Sequence, residues 1–153
     1  MLSAGVIGLA VRRDILQLVT QDGTTPLSVK LGIRSGSHLV ILTAPAGWSF
    51  DLPPDVHVHR RIQRPVDVIL AFFTHSQLLE RRLDVLGRSI FPSGSLWIAW
   101  PKKTSRVSTT ITQHVLRQFA LPRGLVDNKI CSLDDVWSGM RLVWRREMRR
   151  DIT

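Results

Sequence analysis

The chain has 153 residues, 44 % of them hydrophobic, and 21 Lys and Arg against 12 Asp and Glu leave a formal net charge of +9. That length suits one domain with a sizeable core, and the apolar fraction excludes an intrinsically disordered chain. A single cysteine, Cys131, excludes an intramolecular disulfide and a cysteine-rich zinc site, and it fits a reducing, cytoplasmic setting.

The first eleven residues are apolar and precede Arg12 and Arg13. A secretory signal has its positive charges first and a small-residue cleavage site last, so this order argues against one. The run is also too short to cross a bilayer. Residues 1–24 read as a loosely ordered extension, because consistent patterning starts only at residue 25. Pro26 opens a short helical turn, PLSVKLGI, pre-organised by its fixed φ. Arg34 to Ser37 is turn chemistry. His38 to Leu42 is a continuous apolar run, which is the pattern of a strand covered on both faces. A small-residue loop follows from Thr43 to Trp48, and Pro53-Pro54 limits any helix after it to one turn.

Val56 to Arg60 alternates and predicts a more exposed second strand. Val66 to Phe73 predicts a third. Thr74 or Ser76 is placed to cap the next helix, whose apolar face is Leu78, Leu79, Leu83 and Leu86 and whose natural stop is Gly87. Ser95 to Trp100 predicts the fourth strand, ended by Pro101. A second helix is expected from Thr109 or Thr110, closing at Gly124. Leu125 to Ser132 and Trp137 to Arg146 predict a closing antiparallel pair. Residues 25–146 thus form one expected α/β domain, followed by a basic, frayed tail at 147–153.

This order of elements resembles a class I methyltransferase: a three-layer, Rossmann-like, mostly parallel sheet ending in an antiparallel strand pair. Phe91-Pro92-Ser93-Gly94-Ser95 stands where that fold has its Pro-Gly-Gly lead into a strand. The phrases PLSVKLGIRSGSHLVILTAPAGW, VDVILAFF, SLWIAWPKK and GLVDNKICSLDDVWSGMRLVWR also resemble a small bacterial family, common in actinobacteria, for which no activity is established. The methyltransferase resemblance implies S-adenosylmethionine at the carboxyl ends of the first strands. Three departures speak against that cofactor. The loop after the first strand has one glycine, Gly47, and Pro45 removes an amide donor. The second strand ends in His59-Arg60-Arg61 where an acidic residue is expected. Only Ile62 to Pro65 lead into the third strand, too few for a helical crossover. No cofactor is therefore predicted.

In open parallel sheets, ligands sit beyond the carboxyl ends of the strands. Those ends collect Thr43, Trp48, Arg60, Arg61, Arg64, His75, Ser76, Lys102, Lys103 and Arg106, a basic rim with aromatic surfaces. It reads as a site for an anionic ligand or partner, or as loop tips kept soluble by charge. His57 and His59 share one strand face without a third metal ligand, so no metal site is predicted. His38 and His114 read as isolated. Asp134-Asp135 reads as a hairpin turn, and Cys131 as a small buried hydrophobe. Trp137 and Trp144, seven apart in a strand, point to opposite faces, so one of them is expected at the surface.

The reading is a methyltransferase-like domain that binds an anionic small molecule or partner at its basic rim. An atypical S-adenosylmethionine- or nucleotide-dependent enzyme and a nucleic-acid-binding module remain open alternatives.

Overall fold

The structure is a computed structural model that describes residues 25–150. Its elements are a one-turn helix α1 (Leu27–Lys30), strands β1 (His38–Leu42), β2 (His57–His59) and β3 (Val68–Phe72), helix α2 (Ser76–Ile90), strand β4 (Ser95–Pro101), helix α3 (Gln113–Ala120), and strands β5 (Leu125–Ser132) and β6 (Trp137–Trp144). Short 3₁₀ turns cover Leu121–Arg123 and Arg146–Arg150. The six strands form one sheet in the order β2-β1-β3-β4-β6-β5. The first four are parallel, and β6 runs antiparallel to both β4 and β5.

The continuous apolar runs earn their place at the centre. Every residue of β3 and β4 is buried, as strands covered on both faces require. Even-numbered positions of β1 and β4 (Val40, Leu42, Leu96, Ile98) meet Leu79, Leu83 and Leu86 of α2 and Leu116 of α3. Odd-numbered positions (Leu39, Ile41, Trp97, Ala99) meet Leu31 and Ile33 around α1, with Trp48, Phe50, Leu52 and Val56 packed against them. The layers are therefore α2 and α3, the sheet, and then one helical turn plus an aromatic loop. A buried anchor ties the last layer down: the Trp97 indole donates to Leu31 O at 3.1 Å.

The crossovers that lack helices use their own apolar residues instead. Residues 43–56 connect β1 to β2 over the α1 face. Residues 60–67 then return past β1 to start β3, with Ile62 and Val66 packed on the helix-side core. So short a return is possible because β2 has only three residues, which leaves little strand length to retrace.

Several expected boundaries move for tertiary reasons. Helix α2 runs through Gly87 to Ile90. Gly87 is there for close approach: Trp144 Nε1 donates to Gly87 O at 2.8 Å, and a Cβ on Gly87 would sit 3.3 Å from Leu125. Neither Thr74 nor Ser76 caps α2 with its side chain. Thr110 Oγ1, from the loop before α3, accepts from Ser76 N at 2.8 Å. Thr112, not Thr109 or Thr110, caps α3, accepting from Val115 N at 3.1 Å. The basic segment after β6 is not frayed as far as Arg150: Arg149 Nε donates to Trp144 O, and Met148 packs beside Gly124. Neither Trp137 nor Trp144 is exposed; Trp137 is buried on the α1 face and Trp144 packs on the α2 face. The expectation for residues 1–24 lies outside the described residues.

Candidate functional site

Parallel β1 and β3 are sheet neighbours whose connections leave in opposite directions, which makes the gap beyond their carboxyl ends the topological switch point. Thr43 follows β1 with φ 57°, a left-handed conformation uncommon for a non-glycine residue. That turn directs its hydroxyl at β3. Thr43 Oγ1 accepts from Phe72 N at 3.2 Å and donates to Phe72 O, extending the ladder by one side-chain rung. A cavity of about 290 Å³ opens there, lined by Thr43, Phe72, Phe73, Thr74, Leu78, Arg82 and Trp137.

The cavity has a distinct chemistry. Phe72 and Trp137 meet edge to face with centroids 5.1 Å apart, and Trp48 stands edge-on to Phe72 at 4.8 Å. Leu78, one turn into α2, is 49 % exposed beside this wall. Arg82 follows Leu78 by four residues, so both lie on the same helix face. The lining offers aromatic surface, two hydroxyls and one guanidinium. At about 290 Å³ it stands at the small end of ligand pockets, which span about 300–1,000 Å³.

Asp134 supports the site from behind. Its Oδ1 accepts from Val136 N and Trp137 N, both at 2.8 Å, and its Oδ2 accepts from Trp48 Nε1 at 2.9 Å. One carboxylate thus joins the β5–β6 turn to the loop after β1. Partial burial works to raise the Asp134 carboxyl, but the Trp137, Trp48 and Val136 hydrogen bonds and the Lys102 charge outweigh it and hold the group below its ordinary value.

The expected rim residues are spread along the sheet. Thr43 lines the cavity and Trp48 flanks it. Arg60 and Arg61 follow β2, while Lys103 and Arg106 follow β4; all four are exposed. Those strand ends lie three strand spacings apart, about 14 Å. Lys102 is engaged by the hairpin, donating from Nζ to Ser132 Oγ at 2.6 Å. His75 precedes α2 as an exposed residue, and Ser76 is held by Thr110. Arg64 lies elsewhere: the 60–67 return carries it toward the start of β3, where it donates to Arg88 O near the end of α2. His38 is not isolated. It stacks on His57 at 4.4 Å and on His59 at 5.9 Å, because β1 and β2 pair His38 with His57. Among the described residues no group of three or more His, Cys, Asp or Glu is placed to hold a metal ion. Likewise, no described helix is long and apolar enough to cross a membrane.

Sequence reasoning missed Phe72, Phe73, Leu78, Arg82 and Trp137 as lining residues. The Leu78–Arg82 spacing was the available signal. The aromatic contribution of Trp137 depends on an antiparallel partner far along the chain.

Sheet order and layers define a Rossmann-like α/β fold. A solved structure with this architecture is an S-adenosylmethionine-dependent methyltransferase from Aquifex aeolicus, at TM-score 0.53 and 14 % identity over 93 % of this chain and 98 % of that one. A second, LepI in complex with S-adenosylmethionine, aligns at TM-score 0.41 and 12 % identity over 90 % of this chain and 42 % of its own, too distant to carry an argument. No protein-family model matches the chain, and no curated protein matches it either. The likeness shows the fold.

Proposed function

We propose that this domain binds a small anionic molecule with an aromatic or apolar body in the cleft between β1 and β3. The observation that carries the reading is the cavity lining, in which Phe72, Phe73 and Trp137 supply a wall and Arg82 a cation at its edge. An aromatic wall with a few placed polar groups is the usual make-up of a ligand pocket. Arg60, Arg61, Lys103 and Arg106 would then act at longer range, raising the local concentration of anions along this edge.

S-adenosylmethionine is not the ligand in this reading. The residues present fit it poorly. The loop after β1 is drawn across the edge by the Trp48–Asp134 hydrogen bond. The end of β2 offers His59, already paired with Gln63 at 2.7 Å, followed by Arg60. Neither is a carboxylate acceptor for ribose hydroxyls, and the Arg82 charge opposes a sulfonium.

Isothermal titration with S-adenosylmethionine and S-adenosylhomocysteine is expected to show weak binding or none, and low-micromolar affinity would overturn this part. Adenosine monophosphate serves as a probe for the positive claim. Its titration is expected to shift the Trp137 indole resonance, with several-fold weaker binding in Arg82→Ala. Equal binding by wild type and Arg82→Ala would remove the site. Turnover of the cofactor would instead favour an enzyme with an atypical site.

A further inference from the structure

The opposite, amino-terminal edge of the sheet holds a larger cavity of about 640 Å³. Four cations line it, Lys30, Arg34, Lys129 and Arg141, together with one carboxylate, Asp67; four minus one leaves a formal charge of +3. Asp67 is already occupied, its Oδ2 accepting from His38 N at 2.7 Å. None of the four cations takes part in a salt bridge among the described residues.

The backbone brings two of these cations together against their mutual repulsion. Lys129 of β5 stands directly opposite Arg141 of β6, and like charges directly opposed weaken an antiparallel pair. The pairing exists because of a register shift between Asp127 and Lys129. A regular ladder continued from the Asp127–Leu142 pair would set Asn128 opposite Arg141. Lys129 would then turn to the other face, beside Met140. Bulges commonly re-aim a side chain next to a site, and this one turns Lys129 onto the face where Arg141 and Lys30 lie.

Arg141 carries the second sign. Among the described residues its Nε, itself closed to solvent, has no hydrogen-bond partner, as is also true of Arg145 Nε and His38 Nδ1, so no protein acceptor at Nε neutralises the guanidinium. Lys129 Nζ donates to Lys30 O at 3.1 Å, a contact that orients it and leaves its charge uncompensated. Nearby, the turn from Arg34 to Ser37 is closed by Arg34 N on Ser37 Oγ at 2.9 Å, which fixes the backbone that carries Arg34 at the mouth.

We propose that this cavity is a site for a phosphorylated small molecule with at least two negative charges, held between Arg141 and Lys129 with Arg34 at the entrance. Arginine matches phosphate with a planar fork of donors, and lysine adds a point charge. The volume is of the size that nucleotide-like ligands occupy. The cations converge on one cavity, which suits a compact polyphosphate better than an extended nucleic-acid strand. This site lies at the other end of the strands from the β1–β3 cleft and stands or falls independently of it.

The test uses the full chain at low salt, with pyrophosphate and adenosine diphosphate as probes in isothermal titration. Wild type is expected to bind pyrophosphate and to melt at a higher temperature in its presence. Arg141→Met and Lys129→Met are each expected to lose at least about ten-fold in affinity, as loss of a charge-assisted phosphate contact implies. Unliganded Arg141→Met should melt no lower than wild type, since its removal relieves the opposed charges. Arg81→Ala, an exposed arginine on α2, should bind as wild type does. If Arg141→Met fails to fold, Lys129→Met, at an exposed position, carries the same comparison. No binding by wild type, equal binding by the site variants, or a loss matched by Arg81→Ala would overturn the site. Tighter binding of a short single-stranded RNA, with the loss spread over all three variants, would overturn it too, as a general surface attraction.

Discussion

Asp134 joins two loops at the carboxyl edge, with two backbone amides and the Trp48 indole on one carboxylate. Its pKa is held down in the fold, so its contribution to stability is complete above the unfolded carboxylate value of about 3.9 and is lost as the pH falls through the lower, folded value. Wild type is therefore expected to lose thermal stability from about pH 4 downward. Asp134→Asn, which cannot titrate, should melt lower at neutral pH and show a flatter profile over the same range. A profile as steep as wild type's would assign the acid sensitivity to other carboxylates. Asp134 was legible as a turn former from its place in the hairpin, but its bond to Trp48, 86 residues away, was not. Cys131, expected to be buried, is only half-buried on the α1 face, because β5 is an edge strand. Burial pushes its thiol up against the opposing pull of Lys30 and Lys129, so its reaction with an alkylating agent at neutral pH should be slow.

Among the elements, β6 serves both candidate sites, as β3 does through Phe72 and Val68. It supplies Trp137 to the cleft at one end and Arg141 to the basic cavity further along. Between them Gly139 pairs with Ala99 and faces the Trp97 ring. A Cβ at Gly139 would meet Leu133 Cδ2 at 3.1 Å and Trp97 Cε3 at 3.2 Å. Trp97 is fully buried and fixed by its bond to Leu31 O, so it cannot yield cheaply. Gly139→Ala is expected to cost about 1–3 kcal/mol in denaturant unfolding, the usual range for an overpacked core. An unchanged midpoint would show that Leu133 takes up the strain. The strand pattern of β6 was plain in the sequence, whereas the need for glycine at this position follows from which ring lies across the ladder.

For the whole molecule, the described residues close a continuous core on both faces of the sheet. A chain beginning at residue 25 is accordingly expected to fold and to melt within a few degrees of the full-length protein. A larger drop in a thermal melt would show that residues 1–24 contribute to the fold. Cations stand at both edges of the sheet, Arg60, Arg61, Lys103 and Arg106 at one and Lys30, Arg34, Lys129 and Arg141 at the other. Anion binding at either edge should thus weaken as salt rises, because exposed charges are screened over about 10 Å at 0.1 M.

Local physics determined much of this protein from sequence alone. Unbroken apolar runs marked β1, β3 and β4 as central parallel strands, helical spacing marked α2 and α3, and turn chemistry marked the β5–β6 hairpin. These follow from hydrophobic periodicity, which each segment carries within itself. The sites depend on which segments meet. Sheet order separated the expected rim cations, sent Arg64 away from the carboxyl edge, and stacked His38 on His57. The bulge after Asp127 turned Lys129 toward Arg141. Register and strand order are properties of pairs of segments distant in the chain, and only the assembled sheet decides them.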